Sequence, residues 1–229
     1  MLYGVKNSIF SLRELEYRIK QDFIFKSIIK LREVPDYPTF SLRASVLDQH
    51  LYYGIYSMFI ELINPETRLC AIDATALRSS KYDSEAKSGK GTRLGYFKGY
   101  KLHCIATVTD IITPLVFDLT TANVYDNQVS ELLYEAKIYN PFLVLANAAY
   151  DSKEWFEIAL NLKFNLLTDI NMRKAKSIEI FADKRYDNAL FMQSPIGLKL
   201  YKNRAIILYI KRIIQFRKPN TLWASPIRT

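Results

Sequence analysis

The sequence is poor in the residues that build disulfide frameworks and zinc clusters. Its 229 residues include only two cysteines and two histidines. Cys70 and Cys104 each fall in an apolar, strand-like stretch, so we expect reduced thiols inside a core rather than a disulfide or a zinc site. His103 lies alone on a predicted strand, where a histidine is more often a structural polar residue than a ligand. This cysteine usage is typical of a cytosolic protein.

Long apolar runs are also missing. No run reaches the roughly 18 residues that a membrane span needs. The N-terminal segment MLYGVKNSIF lacks the basic-then-apolar order of a signal peptide. We therefore expect a cytoplasmic protein that has no membrane partner.

Acidic residues are outnumbered, and the last part of the chain has none. The chain has 32 Lys+Arg against 23 Asp+Glu, a formal charge of +9. The last acidic residue is Asp187, whereas residues 188–229 carry eight basic ones. Such an excess favours a polyanionic partner, most commonly nucleic acid, although a merely basic protein has the same charge.

In residues 1–65, apolar residues recur every three or four positions, which is the spacing of helices. Ser11 and Glu14 have the spacing of a capping box, and the helix that follows is expected to end near residue 31. Two prolines predict a turn at residues 34–39, and a longer helix is expected from Phe40 to Leu62. This small N-terminal helical unit is interpreted either as a packing module or as a DNA-binding or dimer-forming headpiece.

An apolar strand at residues 69–72 leads directly into a carboxylate, Asp73. Because burial of an unpaired charge is costly, Asp73 is expected at the end of the strand, facing an opening. Taken alone, an aspartate capping a turn is the more common explanation. Residues 78–101 follow, with seven basic residues and four of the seven glycines. They are interpreted as a flexible loop, either for contact with a phosphate backbone or simply solvated.

The remaining pattern predicts an α/β fold. Over residues 66–216 the order is strand, loop, strand, strand, helix, strand, helix, strand, helix. An antiparallel meander followed by helical crossovers gives a mixed sheet flanked by helices, the ribonuclease-H-like topology. Residues 217–229 are expected to form an irregular basic tail, such as a truncated or frameshifted reading frame would give.

Several segments in succession resemble DDE transposases of the prokaryotic insertion-sequence type. They are SLRELEYRI, VPDYPTF, AIDATAL, the GKG and YFKGYKLH pieces, TANVYDNQ, LVLANAAYD and YKNR. The resemblance implies metal-dependent DNA cleavage and strand transfer, with the DNA ends of a mobile element as partner and a homodimer as a possible state. It also implies three carboxylates, Asp, Asp and Glu, holding two Mg²⁺ or Mn²⁺ ions.

Residue by residue, the sequence departs from that family pattern. The first aspartate is Asp73, the expected metal ligand. The position of the second falls on Asn147, in LANAAYD, and the position of the glutamate falls on Leu208. Asp73 and Asn147 are expected at the ends of adjacent strands, with facing side chains.

Three interpretations follow from this departure. The chain has lost its metal site and its activity; or it is an active nuclease with substitute carboxylates such as Asp151, Glu179 or Asp183; or it is a non-enzymatic DNA-binding protein. The residues predicted to contact DNA are Lys90, Arg93, Lys98, Lys101, Tyr201, Arg204, Lys211 and Arg212. Tyr201 and Arg204 also match the family signature on the last helix.

Overall fold

The structure is a computed structural model that describes residues 2–7, 9, 11–46, 49–91, 95–171, 183–208 and 210. It divides into two compact units, with the boundary between Leu62 and Ile63. The domain limits 1–65 and 66–216 remain a prediction, and residues 217–229 lie outside the described part. Among the described residues, no helix is long and apolar enough to cross a membrane.

The N-terminal unit is helical, and its helix starts are set by side-chain caps. Ser11 accepts a hydrogen bond from the Glu14 amide, as the capping spacing predicts. Asp22 caps a second helix through the Phe25 amide, at 2.8 Å, so the predicted single helix to residue 31 is interrupted there. The helices are α1 (Leu2–Lys6), α2 (Leu12–Gln21), α3 (Phe23–Ile28), α4 (Tyr37–Ser45) and α5 (Gln49–Ile63).

The second unit is built on one mixed sheet. Its strands are β1 (Leu69–Arg78), β2 (Lys87–Gly91), β3 (Gly95–Thr107), β4 (Pro114–Thr121), β5 (Leu143–Ala146) and β6 (Asn165–Thr168). β1 is antiparallel to β3 and parallel to β5, and β5 is parallel to β6. β4 and β2 pair with different halves of the long strand β3. The order β4-β3-β1-β5-β6 confirms the ribonuclease-H-like topology.

Helices cover this sheet and complete its core. They are α6 (Glu131–Ala136), α7 (Lys153–Asn161), α8 (Asp183–Gln193) and α9 (Pro195–Lys202), and a 3₁₀ turn at Asn203–Ile206 follows α9. One buried cluster joins Ala71 and Cys104 of the sheet to Met192 of α8 and to Ile207. The C-terminal helical part is therefore attached to the sheet by apolar packing.

The segment predicted as a flexible loop is largely a β-hairpin. β2 pairs with the first part of β3, from Lys87 opposite Gly99 to Gly91 opposite Gly95. A Cβ on Gly89 would lie 1.9 Å from the Ala122 carbonyl oxygen. The glycine is therefore needed for close packing, not for flexibility, which is why the prediction was wrong.

The predicted order of elements has one helix after the last strand, whereas the described residues there form α8 as well as α9. Asn188 of α8 is buried and meets the backbone of Thr168 in the edge strand β6. The Thr168 amide donates to Asn188 Oδ1 at 2.9 Å, and Asn188 Nδ2 donates to the Thr168 carbonyl at 3.1 Å. One side chain thus satisfies both backbone groups of an edge residue.

We expect Asn188→Ala to destabilise the protein by roughly 1–3 kcal/mol, because it leaves buried backbone groups at Thr168 without partners. Denaturant unfolding measures the effect. The matched control is Asn161→Ala at an exposed position of α7, which should change stability by less than about 0.5 kcal/mol. Equal losses in the two variants would contradict the role given to Asn188.

Candidate functional site

Asp73 lies in the middle of the central strand, not at its end. It belongs to β1, where its backbone partner is Cys104 of β3, and its exposed fraction is only 5%. On the other side of β1, the parallel pairing with β5 stops at Ala71 opposite Leu145. The opening that the sequence predicted therefore comes from the shortness of β5, because β1 itself continues beyond it.

The side chain of Asn147 faces Asp73 across this opening. Asn147 directly follows β5, and its Nδ2 donates to Asp73 Oδ1 at 3.1 Å. Its own Oδ1 accepts from the Ala149 amide at 2.7 Å and caps a short 3₁₀ turn, Ala148–Tyr150. The structure thus brings together the two residues that the sequence placed at the first and second acidic positions, and Asn147 serves there as a hydrogen-bond donor.

Arg204 approaches the other oxygen of the same carboxylate. Its Nη1 lies 3.5 Å from Asp73 Oδ2, and its guanidinium lies over the Tyr201 ring at 5.3 Å from the ring centroid. Burial raises the pKa of Tyr201, so this ring stays neutral. Tyr201 and Arg204 lie beside Asp73. Their predicted contact with DNA stays a prediction. The ion pair between Arg204 and Asp73 was not predicted.

The position that the sequence predicts for the third family carboxylate carries an apolar side chain, Leu208. Leu208 lies one helical turn beyond Arg204 and is half-buried, next to the fully buried Ile207. A leucine offers no oxygen to a metal ion. Its partial exposure means that a polar side chain at this position would not be enclosed by the core.

These residues do not fit the family's pair of divalent ions. Two such ions need several anionic oxygen ligands, whereas here one carboxylate meets an amide donor and a guanidinium. In the described part of the chain, no group of three or more His, Cys, Asp or Glu side chains could hold a metal ion.

Among the substitute carboxylates, Asp151 belongs to no cluster in the described part of the chain that could hold a metal ion. Asp151 is buried and accepts two hydrogen bonds from Arg185 of α8, both at 2.9 Å. Asp151 thereby attaches α8, a contact for which the sequence gave no signal. Asp183 begins α8, and Glu179 lies outside the described residues.

The basic residues predicted to bind DNA differ in their exposure and in their partners. Lys90 is exposed, and Lys98 is half-buried with its ammonium 2.9 Å from the Lys81 carbonyl oxygen. Lys101 pairs with Asp126 at 2.9 Å, and its side chain is 13% exposed, so its charge is used inside the fold. Three predicted residues lie outside the described part: Arg93, Lys211 and Arg212.

The histidine and cysteines of the sheet are structural, as their sequence contexts predict. His103 is fully buried, with Nε2 3.0 Å from Thr120 Oγ1, and burial lowers its pKa, so the ring is neutral at pH 7. Burial raises the pKa of Cys70 and of Cys104 to about 12. Both cysteines are free thiols without appreciable thiolate character.

The fold and the positions around Asp73 define a chain of the ribonuclease-H-like transposase class. Residues 64–207 match the family described as the transposase DDE domain, and the chain belongs to this family. No curated protein sequence matches it.

Two solved structures are similar at low identity. A Mos1 transposase paired-end complex with the left transposon end is 9% identical over 85% of this chain and 79% of its own, with a TM-score of 0.28. An intasome of simian T-cell lymphotropic virus, in complex with PP2A regulatory subunit B56 gamma, is 15% identical over 71% of this chain and 60% of its own, also at 0.28. The chain thus spans less than two thirds of the intasome protein that it matches.

A double-mutant cycle measures the ion pair between Asp73 and Arg204. Either single change, Asp73→Asn or Arg204→Met, removes one charge and leaves the other poorly compensated, so each should be destabilising. The double variant should lose less than the sum of the two, with a coupling of roughly 0.5–3 kcal/mol in denaturant unfolding. Lys184→Met, which breaks an exposed pair with Asp187, is the control and should cost less than about 1 kcal/mol. Strictly additive losses at positions 73 and 204 would show that the ion pair contributes nothing.

Proposed function

We propose that this chain is a transposase-family protein that binds DNA without cutting it by the family's two-metal reaction. The observation that carries the proposal is the environment of Asp73. Its carboxylate accepts a hydrogen bond from Asn147, the residue at the position predicted for the second acid, and pairs with Arg204. The alternative of an active nuclease with substitute carboxylates has no comparable support, because Asp151 is already paired with Arg185.

Electrostatics supports the loss of metal binding. Asn147 replaces two anionic oxygens by one neutral one, and that oxygen is already occupied by the Ala149 amide. The guanidinium of Arg204 places a positive charge 3.5 Å from the Asp73 carboxylate, which disfavours a further cation beside it. Like charges a few ångströms apart in a partly buried site repel strongly. The site is therefore suited to hold a carboxylate neutralised by arginine.

DNA binding is supported by charge and not by the Asp73 site. The formal charge of +9 and the exposed lysines of the β2–β3 hairpin favour a phosphate backbone as partner. We assign the DNA contacts to residues 66–216 and place the protein in the cytoplasm with its DNA. Arg93, Lys211 and Arg212 stay candidates by sequence.

The N-terminal helical unit, residues 1–65, has two proposed roles, DNA binding and dimer formation. Several of its apolar side chains are exposed, and this supports the second role. They include Phe23, Ile24, Leu42, Met58 and Leu62. A second copy of the chain is the partner that we propose for them.

DNA binding should be salt-dependent and independent of divalent metal. Each phosphate that a lysine neutralises contributes a slope of about −0.9 to log K against log[salt]. Lys90→Gln should therefore weaken binding and make the slope shallower by about 0.9, measured by anisotropy with labelled duplex DNA. Lys153→Gln, an exposed lysine of α7, is the matched control and should change neither quantity.

EDTA should leave the affinity unchanged, and no DNA cleavage is expected with Mg²⁺ or Mn²⁺. Cleavage by the purified protein, or binding without a salt slope, would overturn the proposal.

Restoring the missing carboxylates should restore metal binding. Asn147→Asp keeps the acceptor that caps Ala148–Tyr150 but replaces the amide donor at Asp73 by a second anion. Leu208→Glu adds the third carboxylate at a half-buried position, where its charge is not enclosed. Each single variant should bind Mg²⁺ weakly or not at all, because the ligands act as a unit. The double variant should bind measurably in calorimetric titration.

The control for this rescue is the double variant with Asp73→Asn added, which should lose the restored binding. Tight binding of two ions by the wild-type chain would show that the metal site had not been lost. A folded double variant without affinity would show instead that Asn147 and Leu208 are not the two acidic positions.

A further inference from the structure

The β2–β3 hairpin has two chemically different faces. Directly opposite residues of an antiparallel pair share a face, so Lys90 and Tyr96 lie on one side, together with Lys98. The opposite side carries the buried Phe97 and Gly89, which contacts Ala122 closely. The hairpin therefore buries its small and apolar face and turns an aromatic and cationic face outward.

Two tyrosines on this part of the surface are almost fully open. Tyr96 is 81% exposed and Tyr82 is 78% exposed. Each has a lysine ammonium near its ring, with Lys90 Nζ 5.8 Å from the Tyr96 centroid and Lys81 Nζ 4.9 Å from the Tyr82 centroid. An exposed aromatic ring beside a cation is the arrangement that binds nucleotides by stacking and phosphate contact together.

Hydrogen bonds hold these rings on an ordered segment. Asp83 accepts from the Ser79 hydroxyl, from the Tyr100 hydroxyl and from the Glu85 and Ala86 amides, so it closes the loop that carries Tyr82. Lys98 Nζ donates to the Lys81 carbonyl at 2.9 Å and joins this loop to the outward face of the hairpin. A pre-ordered surface loses little conformational entropy when a ligand binds.

We propose that this face, formed by Lys81, Tyr82, Lys90, Tyr96 and Lys98, is a binding site for unpaired DNA bases. The inference rests on the proposed DNA binding and specifies the form of DNA that is preferred. In a duplex, each base is already stacked on its neighbours, so a tyrosine ring gains access only to single-stranded, flipped or terminal unpaired bases. The neighbouring ammonium groups neutralise the phosphates that accompany those bases. A neutral or basic protein segment is less suitable, because the three lysines of this face outnumber the two acidic residues of the loop, Asp83 and Glu85.

Three labelled DNAs test this site by anisotropy at one salt concentration. They are a single strand, the corresponding duplex, and a single strand with abasic sites that keeps the phosphates but removes the bases. The single strand should bind more tightly than either of the others. Tyr96→Ala should weaken binding of the single strand on the order of tenfold, since stacking of one base contributes that much, and should leave the duplex nearly unaffected.

Matched variants separate stacking from a general disturbance of the surface. Tyr96→Phe keeps the ring and should retain the affinity for the single strand, whereas Tyr82→Ala should lower it as Tyr96→Ala does. Tyr134→Ala removes an exposed tyrosine of α6 and should have no effect. Unchanged unfolding midpoints for all four variants would verify that the fold is intact, as expected for exposed side chains.

The possible failures are distinguishable. Equal affinity for the single strand, the duplex and the abasic strand, with no effect of either tyrosine, would overturn this inference and leave the proposed DNA binding in place. No binding of any DNA at low salt would overturn both. Loss of affinity in Tyr96→Phe as large as in Tyr96→Ala would point to the hydroxyl and reject stacking as the mechanism.

Discussion

The central constraint on this fold is a carboxylate placed in the middle of a buried strand. Asp73 lies in β1 with an exposed fraction of 5%, where an uncompensated charge would be strongly destabilising. A transposase site of the DDE family compensates three carboxylates with two divalent cations. This chain keeps one carboxylate and places one guanidinium, from Arg204, beside it. In the proposed function, the single carboxylate and the single guanidinium balance each other locally.

The same polar contacts decide how the C-terminal helices attach to the sheet. Arg204 reaches Asp73 of β1, Asn188 binds the backbone of β6, and Arg185 forms two hydrogen bonds with Asp151 after β5. Ile207 belongs to the buried cluster that joins this part of the chain to the sheet. Apolar packing supplies most of the surface that the helices bury against the sheet. The directional polar contacts determine where α8 and α9 lie on it. A change at any of these polar positions is therefore expected to alter the geometry around Asp73 as well as stability.

Local patterns in the sequence predicted the strand order and the contact between Asp73 and Asn147, because both depend on short apolar runs followed by polar residues. α8 was missed because its buried side includes a polar residue, Asn188, whose partner lies twenty positions earlier in the sequence at Thr168. Periodicity does not report such long-range pairing. The sequence did contain a signal for the ion pair with Arg204. With Asn147 and Leu208 at the two predicted acidic positions, Asp73 is left as a buried carboxylate that needs a cation nearby. Arg204 lies one helical turn before Leu208 and can supply it.

The strand β3 connects the Asp73 site with the exposed face of the hairpin. Cys104, the backbone partner of Asp73, is six residues from Lys98, which corresponds to about 20 Å along an extended strand. The hairpin is stabilised by the close approach of Gly89 to Ala122 and by the hydrogen bonds of Asp83, none of which involves Asp73. Replacement of acids at positions 147 and 208 therefore has no structural reason to disturb the hairpin. In the proposed function, chemistry at phosphorus and contact with DNA are assigned to different residues, so loss of the first leaves the second intact.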